Sequence, residues 1–296
     1  MTEPPIHLLP EAPAITLETM RAYPGALACD CYVAEVETVG VARPWGWSVA
    51  GGENIDHHAP VAAMARVVSS ANLALRWISE RGARPTGPIL LTHTDCDSVL
   101  TAGLVAGRLA PRARYGEAAV AADHTGAEDP IADLLQAVQH WRDVSRAFEL
   151  LARLEGGQSL PAEAAAALDA RRRTRDRAAA AVARGAFTRT GGVAWASFET
   201  EVDGEFLPAL LPEATLIVIG SPHPAHPDRW AIKVRRGAAM PAGRTLQDLG
   251  LEAVDPAYGG RWNAGSTKRG GGSAEGVEAW VARLVRHLEA TAGAGR

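Results

Sequence analysis

Residues 53–60, ENIDHHAP, place an acid directly before two adjacent imidazoles: Asp56, His57 and His58. The chain has nine histidines, so a neighbouring pair beside a carboxylate points either to metal ligation or to a polar turn. Two further segments repeat this chemistry. THTDCDS carries His93, Asp95 and Asp97 at alternate positions, and AADHTG carries Asp123 and His124. Each of the three follows a short apolar stretch that reads as a strand. In an open parallel sheet the carboxyl ends of the strands lie along one edge, where ligands bind, so clusters distant in sequence can converge there. Mixed carboxylate and imidazole donors suit Mn²⁺, Zn²⁺ or Fe²⁺ better than Ca²⁺. The donors exceed what one ion needs, and two ions sharing a carboxylate would hold a hydroxide and clamp an in-line displacement, which is phosphoester chemistry. Taken singly, each cluster also reads as helix capping: Asp56 before a helix near Pro60, Asp97 before one at Val99, and Asp123 or Asp129 before the next. Three clusters after three apolar stretches favour a site.

The elements that would position these residues follow from periodicity. Residues 1–27, with five prolines, read as a loose lead-in. CYVAEVETVGVA and GWSVAG alternate like strands and lead to Ile55. Residues 59–82 repeat apolar side chains at helical spacing and end at Gly82, a suitable helix terminator. GPILL reads as a buried strand, VLTAGLVAGRLA as the helix after it, and EAAVAAD as a third strand before a helix near Pro130. This alternation predicts an α/β fold with a parallel-sheet N-terminal domain over 1–130. Residues 131–188 read as a helical linker, and 189–296 as a smaller α/β domain with strands GGVAWASFE, ATLIVIGSP and RWAIKVRRG. A glycine-rich loop at 259–272 and a final helix over roughly 275–291 complete it. The arginines of RRRTRDR read first as a solvated helix face and only secondarily as a nucleic-acid contact.

Bulk properties narrow the function. A net charge of -4 and a pI near 6.2 exclude a general polyanion binder. Cys29, Cys31 and Cys96 form no disulfide framework, which fits a reducing cytoplasm. The N-terminus lacks the basic and apolar segments of a signal peptide, and no stretch reads as a membrane span. His7, His140 and His287 lack a metal-friendly context, while His223 and His226 lie in a proline-rich turn.

The motifs resemble the DHH phosphoesterase superfamily, which includes RecJ-type exonucleases, small oligoribonucleases and family-II pyrophosphatases. Asp56-His57-His58 matches the name-giving triplet. THTDCDSVLTAG is similar to the family's first motif, with Ser98 where a glycine is usual, and AADHTG resembles the second, whose aspartate bridges two metals. The C-terminal part looks like the DHH-associated domain, with Arg235 on a strand and YGGRWNAGS in place of a Gly-Gly-His loop. The order differs, since here the triplet comes first. A circular permutation would require another aspartate between the triplet and His93, and none lies between 59 and 94. Asp30 is one candidate substitute. Alternatively, Asp123-His124-Thr125 is the triplet's equivalent and the early one was recruited separately.

The resemblance implies a metal-dependent phosphoesterase that hydrolyses a phosphodiester or phosphomonoester of a nucleotide or short single-stranded oligonucleotide. Two Mn²⁺ ions are implied, with Mg²⁺, Co²⁺ or Zn²⁺ as alternatives. His93 and Asp95 would hold one ion and Asp97 and His57 the other, with Asp123 bridging and His124 beside it. His58 would contact phosphate or assist the leaving oxygen, and Asp56 would orient the imidazole. Arg235, Gly259, Gly260, Arg261, Asn263, Lys268 and Arg269 would bind substrate, and Trp45, Trp47 or Trp262 could stack a base. Duplex DNA and membranes are not expected partners, and a homodimer is compatible with the sequence. A hydrolase of another phosphorylated metabolite, or a degenerate nucleotide-binding member, is the competing expectation.

Overall fold

The computed structural model describes residues 3–12, 14–58, 67–82, 85–199 and 203–294. The chain is α/β and divides into two compact units, Met1–Asp123 with Glu128–Arg172, and His124–Ala127 with Arg173–Arg296. The division falls inside the segment expected to be a linker.

The first unit is built on a six-stranded sheet. Its strands are β1 (Ile6–Leu8), β2 (Leu27–Cys29), β3 (Val41–Arg43), β4 (Gly46–Val49), β5 (Gly52–Ile55) and β6 (Ile89–Leu91), in the order β1-β6-β2-β5-β4-β3. β1, β6, β2 and β5 are parallel, while β4 and β3 fold back antiparallel at one edge. The sheet is therefore mixed rather than wholly parallel. The reversal into β5 is made by Ala50 and Gly51, both at positive φ (53° and 79°), the conformation of a tight hairpin turn.

Several local expectations change. The lead-in is ordered: β1 and helix α1 (Leu17–Ala22) lie within it, and β2 begins at its last residue. Pro4, Pro5 and Pro10 flank the edge strand β1 rather than interrupting it, where a missing N–H costs little. CYVAEVETVGVA forms a single helical turn, α2 (Val36–Val39), and the exposed edge strand β3. Helix α3 (Ser70–Arg81) begins at a capping box made by Ser69 and Asn72 and ends at Gly82, φ 62°. The earlier start expected near Pro60, with Asp56 as its cap, lies outside the described residues. α4 (Cys96–Ala106) is buried along its whole length and is capped by Asp95, not Asp97. EAAVAAD is not a strand. It lies in helix α5 (Ala113–Val120) and a following π-helical turn, Ala121–Thr125. Alanine has the strongest helix propensity of any residue, and it decides a segment whose apolar pattern suits either state.

α6 (Pro130–Val138) and α7 (Val144–Glu155) belong to the first unit, and α8 (Ala162–Ala183) runs through the division after Arg172. The arginines of α8 divide: Arg172, Arg173 and Arg177 are exposed, as expected of a solvated face, while Arg171 and Arg175 are tied into the fold. Arg171 pairs with Asp133 of α6 at 3.1 Å, both side chains buried, and Arg175 lies over the Phe206 ring at 4.8 Å.

The second unit has a sheet of β7 (Thr188–Thr190), β8 (Val193–Ser197), β9 (Leu216–His223), β10 (His226–Arg236), β11 (Gly259–Gly260) and β12 (Ala264–Ser266), ordered β11-β12-β10-β9-β8-β7. Only β8 and β9 are parallel. Alternation along β9 divides its side chains between two faces. Leu216 and Val218 join Trp280 and Leu284 of the final helix, and Ile217 and Ile219 join Phe206 and Leu207. The short helices α9 (Leu207–Leu210) and α10 (Leu251–Val254) and the long α11 (Val277–Ala294) complete the unit.

Candidate metal centre

Four segments of the first unit deliver acids and imidazoles to one place. Asp30 follows β2, Asp56-His57-His58 follow β5, His93 and Asp95 follow β6, and Asp123 lies in the π-helical turn. The first three are the carboxyl ends of neighbouring parallel strands. Asp30 continues the ladder, its N–H donating to the Ile55 carbonyl at 2.8 Å. It then turns with φ 51°, a left-handed conformation that aspartate tolerates better than most side chains. Buried Asn54 holds this corner by donating to the Ala28 and Cys31 carbonyls at 3.3 and 3.0 Å.

Among the described residues of the first unit, Asp30 belongs to three groups of ligand atoms; one is Asp30, His57 and His58, and the other two have only Asp30 in common. Of these two, Asp30, His93 and Asp95 make the first; Asp30, His57, Asp97 and Asp123 make the second. Within each, the donor atoms lie within 4.8 Å of one another. His93 Nε2 is 3.3 Å from both Asp30 Oδ2 and Asp95 Oδ2. His57 Nε2 is 3.1 Å from Asp123 Oδ2, 3.5 Å from Asp30 Oδ1 and 3.9 Å from Asp97 Oδ2. The two oxygens of Asp30 thus face different imidazoles. His58 Nδ1 stands 2.5 Å from Asp56 Oδ1, with Asp56 fully buried and the His58 side chain 22% exposed.

Supporting hydrogen bonds fix the acids. Ser98 donates to Asp95 Oδ1 through both N–H (3.0 Å) and hydroxyl (2.8 Å). Ser98 is therefore the residue that orients Asp95. Asp97 accepts from the backbone N–H groups of Ser70 at 2.6 Å and Ala71 at 2.7 Å.

The electrostatics are those of crowded negative charge. Burial, and then Asp30, Asp123 and Asp95, push the Asp97 carboxyl well above the usual carboxylate range. Burial alone would lower His93, but Asp95 and Asp30 outweigh it and push the imidazole up to about 12. Burial opposes ionisation of Asp95, yet His93 and Ser98 hold its carboxyl below the usual range. Buried carboxylates at such spacing need compensating positive charge, either protons or a cation. The donor set therefore fits divalent metal ions: hard carboxylates with imidazole, two groups, and one shared acid.

His124 and the other expected substrate residues belong to the second unit. His124 Nδ1 is 2.7 Å from Asn263 Nδ2, and its ring lies 5.0 Å from that of Trp262. Arg235 on β10 is paired in register with Ala264, while Gly259 and Gly260 oppose Ser266 and Gly265. Arg261 opens the connecting turn, its N–H donating to the Ala264 carbonyl at 2.8 Å. Lys268 and Arg269 occupy a 3₁₀ turn after β12. Trp45, Trp47 and Trp262 are each at most 7% exposed, so they serve packing and do not offer stacking platforms.

Asp30 is the residue that the sequence left as an alternative. Its signal is the short apolar run LAC ahead of it, too brief to stand out as a strand. A cleft of about 550 Å³ lined by Leu27, Gly52, Glu53, Trp77 and Arg81 lies at the opposite, amino-terminal ends of β2 and β5, away from this chemistry.

No protein-family model and no curated protein matches the chain. Among solved structures, a pGpG-specific phosphodiesterase, PggH from Vibrio cholerae, is similar with a TM-score of 0.44 and 11% sequence identity. The match covers 63% of this chain and 72% of that one. Among the described residues, no helix is long and apolar enough to cross a membrane.

Proposed function

We propose that the chain is a DHH-type, metal-dependent phosphoesterase acting on a nucleotide or a short oligonucleotide. The observation that carries this reading is that Asp30 is the one residue common to the group with His93 and Asp95 and the group with His57, Asp97 and Asp123, as would be expected if two ions shared a carboxylate. Asp30, His93 and Asp95 would hold one Mn²⁺, and Asp30, His57, Asp97 and Asp123 the other. In this arrangement Asp30, rather than Asp123, would be the carboxylate common to both ions. When bound, such ions supply Lewis acidity, polarising a phosphoryl oxygen and acidifying water.

The chain's own groups do the rest. Asp56, held ionised by His58 and His57 despite its burial, accepts the His58 Nδ1 proton. This fixes the ring and assigns Nε2 to proton exchange with the leaving oxygen. Burial of Asp30, Asp97 and His57 keeps bulk water from competing for the donors. In the second unit, Arg235, Arg261, Lys268 and Arg269 form the anion-binding element around the glycine-rich hairpin. The chain's net charge of -4 suits a small nucleotide rather than a long polyanion, because few counterions could be released. The three unpaired, buried thiols suit a reducing compartment.

Hydrolysis of bis-p-nitrophenyl phosphate and of a short RNA in Mn²⁺ tests the reading, with EDTA and Asp95→Ala as controls. Turnover that EDTA and the substitution both abolish supports it. Metal bound without turnover on a wider nucleotide panel overturns the substrate, and absence of metal binding overturns the centre itself.

A further inference from the structure

We infer that Ser70 is a positioning residue of the metal centre, joining three ligand residues through one side chain and one backbone N–H. The inference rests on the metal-dependent reading above. Ser70 is the first residue of α3 and is fully buried. Its hydroxyl donates to Asp30 Oδ1 at 2.8 Å. The Ser70 hydroxyl oxygen in turn accepts the backbone N–H of His57 at 3.2 Å. The backbone N–H of Ser70 donates to Asp97 Oδ2 at 2.6 Å. Asp30, His57 and Asp97 reach the site from three separate chain segments, and Ser70 touches all three.

The chemistry is that of an outer partner that orders metal donors. The Oγ–H bond leaves Asp30 Oδ1 with a fixed direction and a lone pair still available, and the accepted N–H fixes the backbone that carries the His57 ring. Ala71 adds a second backbone N–H to Asp97. The start of α3 thus clamps both oxygens of that carboxylate, as a helix N-terminus favours. Ser69, next door, performs a different task. Its hydroxyl accepts from Asn72 N–H within the capping box and reaches none of the acids.

This pair of neighbouring serines supplies the test. Ser70→Ala keeps the backbone N–H groups to Asp97 and removes only the hydroxyl. Ser69→Ala removes the helix cap and leaves the hydroxyl. Mn²⁺ binding is titrated by calorimetry for the parent chain and both variants, with thermal melts of the metal-free proteins alongside. The expected result is a loss of about 10–100-fold in affinity for Ser70→Ala, the usual effect of removing an outer-shell partner. Ser69→Ala should lower the melting temperature while its affinity stays at the parent value. Turnover by Ser70→Ala should recover at excess Mn²⁺ with KM for the substrate unchanged. If Ser70→Ala does not fold, Ser70→Cys, of near-equal volume and a weaker donor, replaces it under the same criterion. Parent-like affinity in the Ser70 variant, or equal losses in both variants, overturns the inference. If the parent chain itself binds no Mn²⁺, the metal-dependent reading has failed rather than the role of Ser70.

Discussion

The two units carry their charged candidates in opposite ways. In the first, Asp30, Asp56, His57 and Asp97 are fully buried and fixed by strand ends, a helix start and hydroxyl partners. In the second, Arg261 and Lys268 are part-exposed and Arg269 is exposed, as are Gly259 and Gly260. Buried like charges oppose folding until a counter-charge arrives, whereas solvated cations cost little. On the proposed reading, the first unit would be a preorganised receptor whose crowded acids call for a cation or protons. The second offers an adaptable surface whose charges act mainly on binding.

Asp30→Asn is the strongest challenge to this contrast. The amide keeps the acceptor for Ser70 and suits the left-handed backbone at least as well, but it removes the shared charge. Hydrolysis should fall by about 10³-fold or more, the scale of losing electrostatic stabilisation at the reacting group. The metal-free variant should nonetheless melt higher than the parent, because the repulsion that Asp97 experiences is relieved. A lower melting temperature together with retained metal binding would break the picture of a receptor crowded with acids.

Proton linkage sharpens it further. Asp97 and His93 both have folded pKa values raised above their ordinary 3.8 and 6.5. In the metal-free fold, the stability these groups contribute is complete below the ordinary values and is lost as pH rises towards the folded ones, which for His93 means from 6.5 towards about 12. A divalent ion must displace these protons, so apparent Mn²⁺ affinity should rise with pH between about 6 and 8, by roughly tenfold per unit for each proton released. Calorimetry in buffers of different ionisation enthalpy counts the protons. A pH-independent affinity with no release would show that these two groups do not share the metal's place.

The second unit should respond more gently. Arg261→Ala and Arg269→Ala should each raise KM for a nucleotide substrate by about tenfold, the size of one charge-assisted contact, with kcat nearly constant. A collapse of kcat at constant KM would move these residues from binding into the chemistry.

Legibility in the sequence followed the same division. His93, Asp95 and Asp97 stood out because a buried apolar strand precedes them, and the structure keeps that strand. Asp30 was legible only as an alternative, because β2 is three residues long and lies in a proline-punctuated stretch. Asp123 was expected at a strand end, but EAAVAAD is a helix that runs into a π-helical turn, because alanine-rich segments satisfy strand and helix patterns alike. Ser70 was hidden inside a long helical periodicity, since a buried cap and its neighbour look like ordinary polar interruptions. Asp30 lies near His57 and His93 because β2 is the neighbour of both β5 and β6, an adjacency that chain order does not display.

The glycines of the second unit allow the finest discrimination. Both Gly259 and Gly260 were assigned to substrate on the ground that glycine lets backbone approach an anion. The structure separates them. A Cβ on Gly260 would lie 2.4 Å from Gly265 Cα and 2.7 Å from the Ala264 carbonyl, so glycine there is required by the hairpin itself. A Cβ on Gly259 would meet nothing within 4 Å. Gly260→Ala should therefore destabilise the unit by about 1–3 kcal/mol, as overpacking against backbone does, visible as a lowered melting temperature. Gly259→Ala should leave the melt unchanged. If substrate approaches the backbone at Gly259, that silent variant should still raise KM, by a few-fold. If KM is also unchanged, the anion is held by the cations alone, and the glycines of this hairpin serve its fold rather than its ligand.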